Sequence, residues 1–260
     1  MSTNCLKLFA LLFMIIDHIG EFFINSPFWF RYIGRLSVPL YFFCSAWGLA
    51  FTHNKKLYIF RMYFLSIFMA IGNIVISYIY NININNNIYS TLFIGTLTVV
   101  LLEQEKKLVK RLLLLGGYQL LVLGICVFLA EIIGFPFGIN LKVLYQFYGS
   151  ILGSCIFCEG SILFVIYYCL MYWLKNKVWK LSIFTIIFSG VITLLANQYQ
   201  YYRGIVGYMV PFFHYQGLMC LAIPFFFMFN MKKGINMKYF YYIFYPVHIW
   251  FLSVLSYYTN

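Results

Sequence analysis

The chain has 260 residues, of which 63% are hydrophobic and only 9% are charged, and its mean hydropathy is +0.86. A soluble globular domain carries about 25% charged residues, so this composition excludes one. The net charge of +12 comes without a basic face that can follow nucleic-acid phosphates. It indicates instead a membrane protein whose loops carry excess Lys and Arg.

Apolar runs of a length suited to crossing a bilayer recur along the whole chain. A spanning helix needs about 20 apolar residues, and nine segments are candidates, the fourth of them short. These segments are Leu6–Ile24, Tyr32–Phe51, Leu57–Tyr80, Ile88–Leu102, Leu108–Ile133, Phe147–Trp173, Leu181–Tyr199, Val210–Phe229 and Tyr239–Tyr257. They predict an all-α fold, a polytopic transmembrane helical bundle of about nine spans that forms a single integral membrane domain over residues 1–260.

The basic residues are unevenly divided between the two sets of loops. With a cytoplasmic N-terminus, fourteen of the eighteen Lys and Arg fall on the cytoplasmic side, and only Arg31, Arg35, Lys142 and Arg203 fall outside. This positive-inside asymmetry predicts a multi-pass protein of the cytoplasmic (inner or plasma) membrane. The asparagine-rich run at 81–87 is then predicted to be a polar outer loop.

The seven cysteines lie within or beside apolar segments. Their odd number in such segments argues against a disulfide framework. Cys155-x-x-Cys158, followed by Glu159, has the form of half a metal site, but no second ligand pair has a suitable spacing. We therefore predict free buried thiols and no metal.

Two histidines are placed inside predicted spans, where an ionisable side chain needs a partner or a function. Counted along outward-running helices, His18 lies about 18 Å and His248 about 14 Å from the inner boundary. The two imidazoles, from opposite ends of the sequence, are therefore predicted to share one layer near the middle of the membrane.

Two carboxylates flank the first of these histidines. Glu21 shares a helical face with His18 because residues i and i+3 are neighbours. It is also a neighbour of Asp17, at i and i+4. Two carboxylates on one stripe need a cation, for which Arg35 is the nearest candidate in depth and Arg31 the next. The residues predicted to gather in the outer half are His18, Glu21, Arg35, Arg203 and His214.

This constellation suits proton transfer. A neutral imidazole beside a carboxylate can deprotonate an amine or hydroxyl, while an arginine stabilises developing negative charge. The chain lacks a metal motif, a phosphate loop and a dinucleotide fingerprint, so acyl transfer is the best-matched reaction class. A proton-coupled transporter uses the same residue types, and spacing alone does not separate the two.

Three stretches, in this order and spacing, resemble the TraX family, membrane proteins named for conjugal transfer. They are Leu6-Lys7 with Asp17-His18-Ile19-Gly20, then Tyr32-Ile33-Gly34-Arg35 with Pro39-Leu40, and finally Lys238–Ile249, which contains Tyr245-Pro246-Val247-His248. The resemblance implies a relative of the transmembrane acyltransferase superfamily, which moves acetyl groups from cytoplasmic acetyl-CoA to acceptors on the far side. The family activity it implies is acetylation of pilin N-termini.

The resemblance also implies roles for particular residues. By position, His18 is the general base, Asp17 and Arg35 are its supporting polar shell, and His248 is a second site histidine. Together with the residue reading, these four form the predicted catalytic set, supported by Glu21 and Tyr245.

We therefore expect an integral membrane acetyltransferase that uses acetyl-CoA as acyl donor. The phosphates of acetyl-CoA are expected near Arg61, Lys55 or Lys233 at the cytoplasmic mouth of the helical bundle. The acceptor is expected to be a pilin-like peptide or a glycan hydroxyl, with membrane lipid as surroundings and no nucleic acid. Two alternatives stay open: a proton-coupled transporter or flippase, and a non-catalytic membrane assembly component.

Overall fold

The computed structural model describes residues 1–103, 108–134, 138–199, 214–235 and 237–259, without the side chains of 197–199 and 214. These residues form helices and connecting segments, with no strand among them. In chain order the helices are α1 (Thr3–Phe22), α2 (Trp29–Gly34), α3 (Ser37–Ala50), α4 (Lys55–Tyr80), α5 (Ile88–Leu102), α6 (Leu108–Val127) with a π-helical extension (Phe128–Ile133), α7 (Leu141–Leu152), α8 (Ser161–Leu174), α9 (Val178–Tyr199), a 3₁₀ helix (His214–Ala222), α10 (Ile223–Phe227) and α11 (Lys238–Thr259). The all-helical prediction is thus confirmed for the described residues.

The helices group into two compact units. Unit 1 comprises Met1–Ala50 and Leu170–Asn260, and unit 2 comprises Phe51–Cys169. In unit 1, α1 packs against α2, α3 and α11, while the 3₁₀ helix packs against α9, α2 and α3. In unit 2, α4 packs against α5 and α7, and α6 packs against α7.

Among the described residues, three helices are long and apolar enough, by length and composition, to cross a membrane. They are Lys55–Tyr80, Leu108–Ile133 and Val178–Ala196. Leu113 and Leu120 on the second of them are 71% and 72% exposed, as expected of side chains that face lipid. The chain is therefore a membrane protein, while the nine spans and the orientation of the N-terminus stay predictions.

The sixth predicted span, Phe147–Trp173, is wrong as one continuous helix. α7 ends at Leu152, Gly153 takes a left-handed conformation with φ of +70°, and regular helix resumes only at Ser161. The amide of Gln119 holds this irregular segment by donating to the Gly153 carbonyl and accepting from the Cys155 N–H. A mainly apolar run conceals such a break because hydropathy does not report backbone conformation.

Two other predicted spans are also interrupted. The second, Tyr32–Phe51, is divided at Arg35 and Leu36 between α2 and α3. The eighth, Val210–Phe229, begins outside the described residues and contains the nine-residue 3₁₀ helix.

The asparagine-rich run at 81–87, predicted to be a polar outer loop, is partly buried within unit 2. Ile84 is 1% exposed and Asn87 is fully buried. The Asn87 side chain accepts from the Ser90 N–H at the start of α5 and donates to the Ser66 carbonyl and to Ser150 Oγ. We call Asn87 with Ser66, Ser90 and Ser150 the asparagine cluster.

The first and last parts of the chain are joined within unit 1. The backbone N–H groups of Thr3 and Asn4 donate to the carbonyls of Lys232 and Lys233, at 2.8 and 3.2 Å. The hydroxyl of Tyr241 then donates to Asn4 Oδ1 at 2.8 Å. These bonds hold the beginnings of α1 and α11 together.

All seven cysteines are free. Cys155 and Cys158 are both buried, so free buried thiols are confirmed at the Cys-x-x-Cys motif.

Candidate functional site

The site in unit 1 is centred on two imidazoles, which we call the imidazole pair. His18 on α1 and His248 on α11 are 4% and 7% exposed. His18 Nδ1 lies 2.8 Å from His248 Nε2, and the ring centroids are 5.0 Å apart. The predicted meeting of these two residues, 230 positions apart in the sequence, is confirmed. Their catalytic role stays a prediction.

Aromatic rings and a backbone carbonyl fix the orientation of His248. Its Nδ1 lies 2.9 Å from the carbonyl oxygen of Phe244, one helical turn earlier. The ring of Phe244 stacks on the imidazole at 5.2 Å, and Tyr245 contacts it edge-on at 5.7 Å. Tyr245, predicted to be a supporting residue, is therefore a buried neighbour of His248.

Next to the imidazole pair, two carboxylates and two arginines form what we call the ion-pair cluster: Asp17, Glu21, Arg31 and Arg35. Arg35 donates to both carboxylate oxygens of Asp17. Arg31 contacts Asp17 Oδ1 at 3.1 Å and Glu21 Oε2 at 2.8 Å. The formal charges of the cluster sum to zero, so the carboxylate of Asp17, the one buried member, is compensated by cations.

Arg31, the other cation of the cluster, also makes several polar contacts. Arg31 also donates to the backbone carbonyl of Asp17 at 3.0 Å. Burial acts to lower the pKa of the Arg31 guanidinium, but the carboxylates of Glu21 and Asp17 outweigh it and raise the pKa above its ordinary value. Arg31 thus stays charged and bridges both carboxylates, a larger part than the sequence predicts for it.

Glycines explain why α1 and α2 come close enough to build this cluster. A Cβ added at Gly34 would lie 2.2 Å from the Cβ of Asp17, and one added at Gly20 would lie 2.9 Å from the Cβ of Phe30. Real Cβ atoms do not approach so closely, so any larger residue forces the helices apart. These glycines belong to the Asp17-His18-Ile19-Gly20 and Tyr32-Ile33-Gly34-Arg35 motifs.

Two neighbours of Arg35 carry no clear signal in the sequence. Gln216, on the 3₁₀ helix, is 3% exposed and its Oε1 accepts from Arg35 Nη1 at 2.9 Å. The ring of Tyr215 lies 5.4 Å from the guanidinium carbon of Arg35. Neutral residues in an apolar stretch carry no charge signal, although a lone glutamine between Tyr215 and Gly217 was a hint. Two members of the predicted outer group are not placed, since Arg203 and the His214 side chain lie outside the described residues.

The residues predicted to bind acetyl-CoA are divided between the units. Lys55 and Arg61 belong to α4 in unit 2, where Lys55 Nζ lies 2.5 Å from Glu103 Oε2. Lys233 is an exposed residue of unit 1 whose carbonyl accepts the Asn4 N–H. Because Lys55 already has an anionic partner, it is a weaker phosphate ligand than the sequence predicts. Acetyl-CoA binding at these residues stays a prediction.

Three potential metal ligands also meet at this site. The ligating atoms of Asp17, His18 and Glu21 lie within 4.8 Å of one another. Both carboxylates are engaged by guanidinium groups, and a divalent cation would have to compete with two fixed positive charges. The donor set therefore fits ion pairing better than metal binding, and the absence of a metal stays a prediction.

This arrangement can accept a proton in a place that excludes most water. An imidazole there can take a proton from an amine or hydroxyl. The partly buried guanidinium groups of Arg31 and Arg35 can stabilise negative charge that develops nearby, because their field is less screened than in bulk water.

One comparison with known proteins gives a match. A family model described as TraX protein matches residues 2–256 of the chain. No curated protein and no solved structure matches the chain. The matched range includes the whole imidazole pair and ion-pair cluster.

Proposed function

The chain belongs to the TraX family, and from this premise we propose that it is an integral membrane acetyltransferase. It takes the acetyl group from cytoplasmic acetyl-CoA and transfers it to an amine or hydroxyl acceptor at the outer side of the cytoplasmic membrane. The acceptor class is a peptide N-terminus or a sugar hydroxyl. Family membership supports a role related to conjugal transfer, and a pilin-like peptide is the acceptor that we propose for it.

The observation that supports this proposal most strongly is the 2.8 Å contact between the buried His18 and His248 imidazoles, beside the ion-pair cluster. Burying two imidazoles in place of apolar side chains carries a desolvation cost, which their hydrogen bonds offset. Proton transfer is the chemistry that such a pair performs.

The reaction uses His18 as the general base. The acceptor nitrogen or oxygen attacks the thioester carbon while His18 takes the acceptor's proton. The new C–N or C–O bond forms, the C–S bond breaks, and the CoA thiolate receives a proton to leave as the thiol. Arg35 lies close enough to His18's helix neighbour Asp17 to hold the polar shell in place.

The direct test measures acetyl transfer by the purified protein in lipid nanodiscs. Radiolabelled acetyl-CoA is supplied with a panel of peptide and oligosaccharide acceptors, and both product and free CoA are quantified. We expect transfer by the wild type and a loss of about 10²- to 10⁴-fold in His18→Ala. His53→Ala is the matched control, since it removes an exposed histidine of unit 2. A wild-type protein that gives only background CoA release with every acceptor contradicts the proposal.

A second candidate function is a proton-coupled transporter. Two irregular, largely buried segments in unit 2, residues 82–87 and 153–160, favour it, because non-helical backbone at membrane depth often lines a substrate path. The measurement is uptake into proteoliposomes driven by a pH gradient in the absence of CoA. Such flux, with no acetyl transfer, would support the transporter in place of the enzyme.

A further inference from the structure

The hydrogen bonds of the imidazole pair determine where its protons lie. The Phe244 carbonyl oxygen can only accept, so the His248 Nδ1 that lies 2.9 Å from it must carry a hydrogen. A neutral imidazole has one protonated and one bare nitrogen. In neutral His248, therefore, Nε2 is the bare nitrogen and acts as an acceptor.

The second bond then fixes His18. Its Nδ1 lies 2.8 Å from His248 Nε2, and one of these two nitrogens has to donate. Donation by His248 would need a second hydrogen and make it a buried cation. The ion-pair cluster gives no net negative charge to balance such a cation, since Arg31 and Arg35 already match Asp17 and Glu21. His18 Nδ1 is consequently the donor, and the lone pair of His18 is on Nε2.

We propose that His248 is a positioning residue that holds His18 in the Nδ1–H tautomer, so that Nε2 of His18 is the base atom of the transfer reaction. When Nε2 takes the acceptor's proton, the resulting His18 imidazolium keeps its Nδ1–H bond to His248, and this bond, backed by the bond from His248 to the Phe244 carbonyl, stabilises the positive charge. The proton then passes from Nε2 to the CoA thiolate, and both histidines return to their neutral forms. The kinetic part rests on the proposed function, whereas the tautomer assignment does not.

The tautomer is tested by NMR, since protonated and bare imidazole nitrogens have well-separated ¹⁵N shifts. The protein is labelled with ¹⁵N at its four histidines in lipid nanodiscs, and His18 is assigned from the spectrum of His18→Gln. We expect a protonated Nδ1 and a bare Nε2 on His18 in the wild type. His248→Gln, whose amide oxygen still accepts, keeps this state, and His248→Leu, which has no acceptor, yields a mixture of tautomers. A protonated Nε2 in the wild type, or an unchanged His18 in His248→Leu, overturns the proposal.

Kinetics give an independent readout. A wrong tautomer at a general base lowers kcat by up to about 10⁴-fold in a related arrangement, so we expect His248→Leu to lose about 10²- to 10⁴-fold in kcat with KM little changed. His248→Gln should recover most of that loss. Val247→Ala, an exposed neighbour on α11, controls for disturbance of the helix.

The two proposals fail in different ways. If no variant or wild type transfers acetyl groups while the NMR states are as expected, the proposed function fails and the tautomer assignment stands. If the wild type transfers acetyl groups and His248→Leu matches it in kcat and in ¹⁵N shifts, the positioning role fails alone.

Discussion

The ion-pair cluster of unit 1 and the asparagine cluster of unit 2 both place polar side chains among packed helices, but they satisfy these side chains with different chemistry. In unit 1, the buried Asp17 and the partly buried Arg35 carry full charges that cancel each other. In unit 2, the neutral amide of Asn87 is fully buried and joins α5, the Ser66 carbonyl and Ser150 Oγ by hydrogen bonds alone.

The difference between the two clusters concerns what each can do. A set of balanced charges produces a strong local field that can act on a reacting group. An amide cluster produces almost no field, and its effect is to tie helices and an irregular segment together. Two hydroxyls of the asparagine cluster, Ser66 Oγ and Ser90 Oγ, have no hydrogen-bond partner among the described residues. The hydrogen-bonding groups of this cluster are therefore not all satisfied.

Removal of one charge from the ion-pair cluster should have the largest effect on stability and is the strictest test of the difference between the two clusters. Asp17→Asn leaves Arg31 and Arg35 close together without their shared anion, and breaking a buried pair costs about 3–5 kcal/mol. We expect a loss of this size in the free energy of unfolding, measured by SDS titration in mixed micelles.

Glu21→Gln is the matched control for that variant. The Glu21 side chain is 34% exposed against 11% for Asp17, so water compensates for its loss and we expect about 1 kcal/mol or less. Equal losses in the two variants would contradict the assignment of Asp17 as the central anion.

A smaller loss is expected when the neutral cluster is disrupted. Asn87→Ala removes the cap of α5 and two further hydrogen bonds, which should cost about 3 kcal/mol in the same titration. Asn83→Ala is the control, because Asn83 is exposed in the same run and its loss should have little effect. Equal losses of unfolding free energy in both variants would show that the asparagine-rich run is not held inside unit 2.

The close approach of α1 and α2 can be tested without changing any charge. In Gly34→Ala the added methyl group collides with the Asp17 side chain, and overpacking of this kind costs about 1–3 kcal/mol. Gly117→Ala on α6 adds the same methyl group where nothing lies within 4 Å, so it should be neutral or stabilising by about 1 kcal/mol. Acetyl transfer, measured with stability, should fall only in Gly34→Ala.

The smallest effect is expected at the ion pair between Lys55 and Glu103. Its side chains are 31% and 29% exposed, and exposed pairs contribute about 0–1 kcal/mol. Glu103→Gln should therefore shift the unfolding free energy by less than about 1 kcal/mol. A loss as large as that of Asp17→Asn would mean that burial is not what separates the two pairs.

The sequence was most informative where ionisable residues are scarce. His18, His248 and Asp17 stand out because so few such side chains occur in apolar runs, and counting residues along helices placed both histidines in one layer. The pairing of Arg35 with Asp17 could be predicted for the same reason, because few cations lie at a similar depth. The bridging role of Arg31 was not, because depth along a helix does not report which way a long side chain extends.

The sequence was least informative where the chemistry is neutral. Asn87 and Gln216 are buried and fully used, but asparagine runs are typical of exposed turns and a single glutamine is unremarkable. The helix break between Gly153 and Gly160 was hidden within a mainly apolar segment, since local backbone conformation depends on contacts such as those of Gln119. Hydropathy measures composition and is blind to these contacts.

The bond between His18 and His248 has a consequence for how the protein is made. Asp17 and Arg35 are 18 residues apart, so their charges can be neutralised as soon as the second hydrophobic segment leaves the ribosome. His18 must wait for a residue 230 positions later, which at roughly 5–20 residues per second takes roughly 12–46 s. During that interval the Asp17–Arg35 ion pair can already form, whereas His18 still lacks its hydrogen-bond partner. Under the proposed function, a translation product that stops before α11 would therefore lack acetyl-transfer activity.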